Sequence, residues 1–246
     1  MTVPRAVVFD LGGTLVHWPD WEEGAASKWA AAYDALALAE RSRTWPARDD
    51  FVSAMRAAEK AHWVRVDGEH WSGPPTALVS DGFRRLDLDV DERALLATMD
   101  AYARAVAGWC SVFPDARDTL VALRERGYRL GLLSNTWWAA EWHNADLAAH
   151  GLAELLDELV YTSDLPRSKP HPSVFAEVAT RLDVEPAACV MIGDRQIDDV
   201  SGAKAVGMRG IWRRNDSGFP TSDVPADAVV DRLSELPALL RAWGGR

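Results

Sequence analysis

The chain has 246 residues, 48 % apolar and 26 % charged, an ordinary globular mix long enough to bury a substantial core in one large or two small domains. A net charge of −10 without a Lys/Arg cluster argues against a nucleic-acid partner, because phosphate backbones require a basic surface. Two cysteines make no disulfide framework, no apolar run approaches the ~20 residues that cross a bilayer, and no basic start with an apolar signal core is present, so the expectation is a cytoplasmic protein off the membrane.

Ala6–Phe9 is a short apolar run without polar alternation, which predicts a buried strand. It stops at Asp10, and Gly12, Gly13 and Thr14 follow; the glycines allow a sharp turn and close approach to a ligand. From His17 to about Gly108 the pattern is helical. Ala25, Trp29, Ala32, Tyr33 and Leu36 fall on one face, as do Phe51, Met55, Ala58 and His62, and then Leu95, Met99, Tyr102, Val106 and Trp109. Thr44–Pro46 and Ser72–Pro75 break the run. Seven of the twelve tryptophans, counting Trp109, lie in this stretch, which reads as aromatic packing of a small helical unit, with a ligand-facing patch as the alternative.

Strands and helices alternate from Phe113 onward. Asp115 is placed to cap a helix running to about Arg126, with Gly127 as its stop. A strand over Tyr128–Leu133 ends in Ser134–Asn135. A helix over about Ala139–His150 and a strand near Leu159–Tyr161 follow. Ser168–Pro172 leads into a helix that buries Val174, Phe175, Val178 and Leu182, with Pro172 in its first turn. Cys189–Ile192 is a strand ending in Gly193–Asp194, with Cys189 a buried, reduced thiol. A helix over about Val200–Val206, strands at Met208–Trp212 and Ala228–Val230, and a closing helix marked by Leu233, Leu236, Leu240 and Trp243 complete the chain. This alternation predicts an α/β fold, a doubly wound and mainly parallel sheet with a helical insertion after its first strand. The strand ends at Asp10, Ser134 and Asp194 then converge on one edge of the sheet, where such folds bind ligands.

These stretches resemble the four motifs of the haloacid dehalogenase superfamily of phosphohydrolases and related enzymes. Asp10–Leu15 is similar to the first, normally Asp-x-Asp-Gly-Thr, Leu132–Asn135 to the second and Lys169–Pro172 to the third. Gly193–Asp199 with Gly202–Ala203 is similar to the fourth. The insertion lies where members with a helical cap carry theirs. The resemblance therefore implies a Rossmann-like core of residues 1–16 and 110–246 and a cap of 17–109.

It also implies chemistry. Asp10 would be the nucleophile that forms an aspartyl-phosphate, a role open to a carboxylate that needs no base to ionise it. Mg²⁺ would be held by Asp10, the Gly12 carbonyl and Asp194. Asp199 would support that shell, with Asp198 as its rival. Lys169 would pair with Asp10 and the phosphate. Ser134, Asn135 and the amides after them would hold phosphate oxygens, with Thr14 fixing the first loop. Trp137 and Trp138 could wall the site or pack beneath the cap.

One position departs from the family pattern. In its phosphatases the second aspartate of the first motif is the general acid and base, a function worth roughly 10²–10⁴-fold in rate. Here Gly12 stands there. The expectation is thus a slow or specialised Mg²⁺-dependent phosphatase acting on a small phosphorylated metabolite. His17, Asp20, Asp67, Glu69 and His70 are candidate proton donors from the cap. The alternatives are a 2-haloacid dehalogenase, a phosphonatase using Lys28 or Lys60, or a phosphate-binding relative without activity.

Overall fold

The computed structural model describes every residue except 1, 40, 42, 216, 217 and 246. It begins with β1 (Ala6–Phe9) and β2 (Val16–His17). Four helices follow: α1 (Trp21–Ala39), α2 (Arg48–Glu69), α3 (Pro75–Arg84) and α4 (Glu92–Val106). Then come β3 (Ser111–Val112), α5 (Ala116–Glu125), β4 (Arg129–Ser134), α6 (Ala140–Ala149) and β5 (Glu158–Tyr161). The last part holds α7 (Pro172–Arg181), β6 (Cys189–Gly193), α8 (Gly202–Ala205), β7 (Arg209–Arg213), β8 (Ala228–Val230) and α9 (Leu236–Ala242).

Six strands form one parallel sheet in the order β5-β4-β1-β6-β7-β8. β1 is central and buried along its whole length because helices cover both faces. Successive residues of a strand point to opposite faces, and the two cores divide accordingly. Val7 and Phe9 join Leu120 and Leu123 of α5 and Leu236 and Leu240 of α9. Ala6 and Val8 join Val174, Phe175 and Val178 of α7. Phe9 pairs with both Leu132 and Ile192, so three strand ends lie level. That register brings Asp10, Ser134 and Asp194 to the same edge.

Helices α1 to α4 form the helical insert. Their core is aromatic, built on Trp29, Phe51, Phe83 and Tyr102, with the Trp29 and Tyr102 ring centroids 4.0 Å apart. Two short antiparallel strands, β2 and β3, stitch its ends together, a pairing too brief to show in the sequence pattern. Trp71 bridges Arg167, and the Ser168 amide donates to the His70 carbonyl, tying the insert to the loop before Lys169.

Several local expectations change. Asp115 does not cap α5 with its side chain, which accepts instead from the Ser234 amide. The buried face of α4 is Ala94, Thr98, Ala101, Tyr102 and Val106, with Leu95 and Met99 only half-buried, because the smaller residues permit close packing on α1. Trp109 lies beyond the end of α4 and stacks on Trp21. The helix expected from Val200 starts earlier, as a wide π-type turn over Gln196–Ser201 that runs into α8. This widening buries the consecutive residues Asp198 and Asp199 together, a device common at functional sites. Among the described residues no helix is long and apolar enough to cross a membrane, and both cysteines are free and buried.

Candidate active site

Asp10 follows β1 directly, its amide donating to the Ile192 carbonyl (2.8 Å), so the neighbouring strand positions it. Its carboxylate accepts from the Lys169 ammonium at 2.6 Å. The same ammonium reaches Asp199 Oδ1 at 2.7 Å and is 1 % exposed, so it is a fixed charge shared by two acids. The second oxygen of Asp199 accepts from the Arg195 amide (2.9 Å), made possible by the wide turn. A side chain at Gly193 would collide with the Asp199 carboxylate. Asp198, the rival acid, pairs with Arg195 Nη1 at 2.8 Å instead.

Asp194 completes the group. Its Oδ2 accepts from Asn215 Nδ2 (2.8 Å), and its backbone carbonyl accepts from the Trp212 indole (3.0 Å). Its Oδ1 is buried and has no hydrogen-bond partner among the described residues. Asp10, Asp194 and Asp199 each offer an oxygen within 4.8 Å of the others. Burial pushes the Asp10 carboxyl up, to about 7; Lys169 opposes this and the neighbouring Asp199 and Asp194 charges add to it. Burial likewise raises Asp194, and Asp199 reinforces it. Lys169 loses some basicity to burial, but Asp10 and Asp199 more than offset that and hold it above its usual range. One lysine thus faces three crowded carboxylates, one oxygen of which is unpartnered. A hard, oxygen-seeking divalent cation such as Mg²⁺ fits that donor set.

Ser134 is buried at the end of β4 and lines the cavity. Asn135 also lines it, but both polar atoms of its side chain are engaged by the Lys169 backbone, accepting from the amide (2.8 Å) and donating to the carbonyl (3.1 Å). Thr14 is fully buried and is not among the lining residues, and its hydroxyl has no partner among the described residues. Three contributors are absent from the sequence motifs. Arg213 Nη1 donates to the Gly13 carbonyl (2.6 Å), while Asn215 and Trp212 hold Asp194. All three lie at or just beyond the carboxyl end of β7. The strand-end rule that found Asp10 and Asp194 applies to that strand equally.

Gly13 has φ +78°, and a side chain there would also run into the Asp194 carboxylate. The left-handed conformation alone costs an L-residue about 1–2 kcal/mol. Gly13→Ala is therefore expected to lower unfolding free energy by at least that amount in urea titration, with activity reduced through displaced Asp194.

The cavity beside these groups has a volume of about 690 Å³. Trp137 and Trp138 both line it and pack with Trp29 and Tyr102 of the insert, so they wall the site and belong to the helical core at once. Trp18, Trp21 and Trp63 line the insert side. Of the five candidate proton donors in the insert, His17 alone is among the lining residues, and neither Lys28 nor Lys60 is.

A family model described as haloacid dehalogenase-like hydrolase matches residues 4–207. The chain belongs to the haloacid dehalogenase-like hydrolases. This hydrolase is 32 % identical over 168 residues to the glyceraldehyde 3-phosphate phosphatase of Methanopyrus kandleri, covering 64 % of this chain and 69 % of that one. Among the first curated relatives, the matched share of their own length runs from 53 % to 69 %. Its structure is similar to a HAD phosphatase from Thermococcus onnurineus (30 % identity, TM-score 0.62, 96 % of this chain and 97 % of that one). It is also similar to a 2-haloacid dehalogenase from Pseudomonas syringae (27 % identity, TM-score 0.71, 98 % and 100 %).

Proposed function

We propose that this hydrolase is a Mg²⁺-dependent phosphatase of small phosphate monoesters. The observation that carries the reading is the sharing of Lys169 between Asp10 and Asp199 beside the unpartnered oxygen of Asp194. The similarity to phosphatases supports it.

In this reading an oxygen of Asp10 attacks phosphorus, the ester P–O bond breaks, and the leaving group departs with the electron pair. Water then hydrolyses the aspartyl-phosphate, releasing phosphate and restoring Asp10. Lys169 neutralises charge on Asp10 and on the incoming phosphoryl oxygens, and Asp199 keeps its ammonium in place. The Ser134 hydroxyl and the Asn135 backbone amide donate to the anion, since the Thr136 and Trp138 amides are engaged by the Thr162 and Thr136 hydroxyls, while the Asn135 side chain anchors the loop that carries Lys169. Asp10, the Gly12 carbonyl and Asp194 would hold Mg²⁺, which would supply the positive charge that lets an anionic nucleophile meet an anionic ester. Gly12 replaces the acid that phosphatases of the family place there, so proton transfer to the leaving group goes without its contribution. Residues 17–109 act as a cap over the core of 1–16 and 110–246, and the substrates belong to the cytoplasmic pool of phosphorylated metabolites.

The test is phosphate release from acyl, aryl, sugar and nucleotide phosphates, with Mg²⁺ and with EDTA. Metal-dependent release from at least one class is expected, and release from none overturns the reading. The likeness to a 2-haloacid dehalogenase is the specific ground for a second reading. Halide release from 2-chloropropionate without metal would establish it. The buried acids Asp194 and Asp199 weigh against it, because displacing a halide from carbon needs no cluster of metal-ligating carboxylates.

A further inference from the structure

We propose that the leaving group of this phosphatase is an aromatic ring, so that its substrates are aryl phosphates. The inference rests on the phosphatase reading above and names the substrate class of the same site.

The first observation is the wall of the cavity. Trp18, Trp21 and Trp63 line it and are partly buried, Phe219 is exposed with the Arg195 guanidinium 3.8 Å over its ring, and Trp137 and Trp138 form the buried side. The exposed flanks of three indoles thus stand beside the Asp10 group in about 690 Å³, room for a small planar ring. Ring faces and edges of this kind favour stacked or edge-on aromatic partners. They would also attract a quaternary ammonium such as that of phosphocholine. The carboxylate on the insert side of the wall, Glu22, is paired with Arg56 at 2.6 Å.

The second observation is that the loop has no room for an acid at position 12. A Cβ on Gly12 would lie 2.9 Å from Cζ3 of Trp18. That indole is packed against Trp21, Trp138 and His143 at centroid distances of 6.0, 5.6 and 6.1 Å, so it does not swing aside freely. Two other lining groups are committed. Asp198 is paired with Arg195. His143 is bonded to the Thr136 hydroxyl at 2.8 Å and lies between the rings of Trp138 and Tyr161, 5.1 Å from each. His17 is exposed and packs on Phe113.

The two observations select the same chemistry. Without a proton donor in line, the leaving oxygen must depart as an anion, which a phenolate does far more readily than an alkoxide. An Asp10 oxygen bonds to phosphorus as the P–O(aryl) bond breaks. The phenolate keeps the electron pair and later takes a proton from water, and a second water hydrolyses the aspartyl-phosphate.

The decisive experiment compares kcat/KM for phenyl phosphate, a fluoroalkyl phosphate of matched alcohol acidity, phosphocholine and a series of ring-substituted phenyl phosphates, with Asp10→Asn as blank. Phenyl phosphate is expected to exceed the matched alkyl ester about tenfold, the size of one stacking contact. Rates should fall steeply as the phenol becomes less acidic. Trp63→Ala should lower the aryl-to-alkyl ratio several-fold. An aryl-to-alkyl ratio near one, or preference for phosphocholine, overturns the inference and leaves the phosphatase reading standing. A flat dependence on phenol acidity reveals a proton donor, His17 included, and also overturns it. Absence of Asp10-dependent release from every ester, and from the anhydride acetyl phosphate as well, overturns both.

Discussion

Replacing Asp10 by Asn should abolish turnover, on the order of 10³-fold or more, without destabilising the metal-free protein. The side chains are nearly the same size, so packing beside Ile192 is preserved, whereas an amide is a poor nucleophile toward phosphorus. The stability side follows from crowding. Asp10, Asp194 and Asp199 offer oxygens within 4.8 Å of one another, and one lysine serves two of them. Burial lifts the Asp10 carboxyl from 3.8 to about 7 in the folded chain. A group whose folded pKa is raised binds protons more tightly in the native state, so the parent loses stability as pH rises between those two values. Asn carries no such dependence. The difference in unfolding free energy, Asp10→Asn minus parent without metal, should therefore grow from about pH 4 to pH 7. Urea titrations at several pH values with EDTA measure it. A constant or falling difference would mean that Lys169 fully compensates the buried charge. On the proposed metal site, added Mg²⁺ should stabilise the parent more than the variant, since a neutral amide replaces one of the carboxylates.

Lys169→Met should be the most destabilising single change at the site, by about 3–5 kcal/mol, and should also eliminate activity. The ammonium is 1 % exposed and lies 2.6 and 2.7 Å from two carboxylates, so its loss leaves buried negative charge unpaired. Methionine fills much of the aliphatic volume, which isolates the electrostatic part of the effect. The loss should shrink as pH is lowered toward 4, where the stranded acids take up protons, and shrink again with Mg²⁺ present. Chemical unfolding with and without the metal distinguishes this from a packing defect, which would respond to neither. Lys169→Arg should not rescue activity, because a planar guanidinium does not reproduce a compact charge between Asp10 and Asp199.

Much of the architecture was legible residue by residue. The unbroken apolar runs Ala6–Phe9 and Cys189–Ile192 read as strands covered on both sides, and an acid follows each, Asp10 directly and Asp194 after Gly193. The strand–helix alternation implied parallel pairing, and level registers at Phe9, Leu132 and Ile192 followed. Less was legible where short segments or competing partners decided. The two-residue strands β2 and β3 are below the length at which alternation shows. Asp115 had the chemistry of a cap, but the Ser234 amide, remote in sequence, claimed its carboxylate. Choosing between Asp198 and Asp199 required the wide turn over Gln196–Ser201, which sends one to Arg195 and the other to Lys169. Asn135 has the chemistry of an anion ligand, but the Lys169 backbone engages both polar atoms of its side chain.

By itself, the sequence determined the α/β class, the sheet edge at which the acids meet, the family, and the absence of a side chain at position 12. Those properties follow from local periodicity and from residue identity at strand ends, which hold wherever the chain goes afterwards. Tertiary structure alone decided what occupies the space that the missing side chain leaves. Trp18 stands 2.9 Å from where a Cβ of residue 12 would be, wedged among Trp21, Trp138 and His143. These residues come from the insert and the core, and only the packing of one on the other brings them together. Their spacing along the chain carries no trace of it.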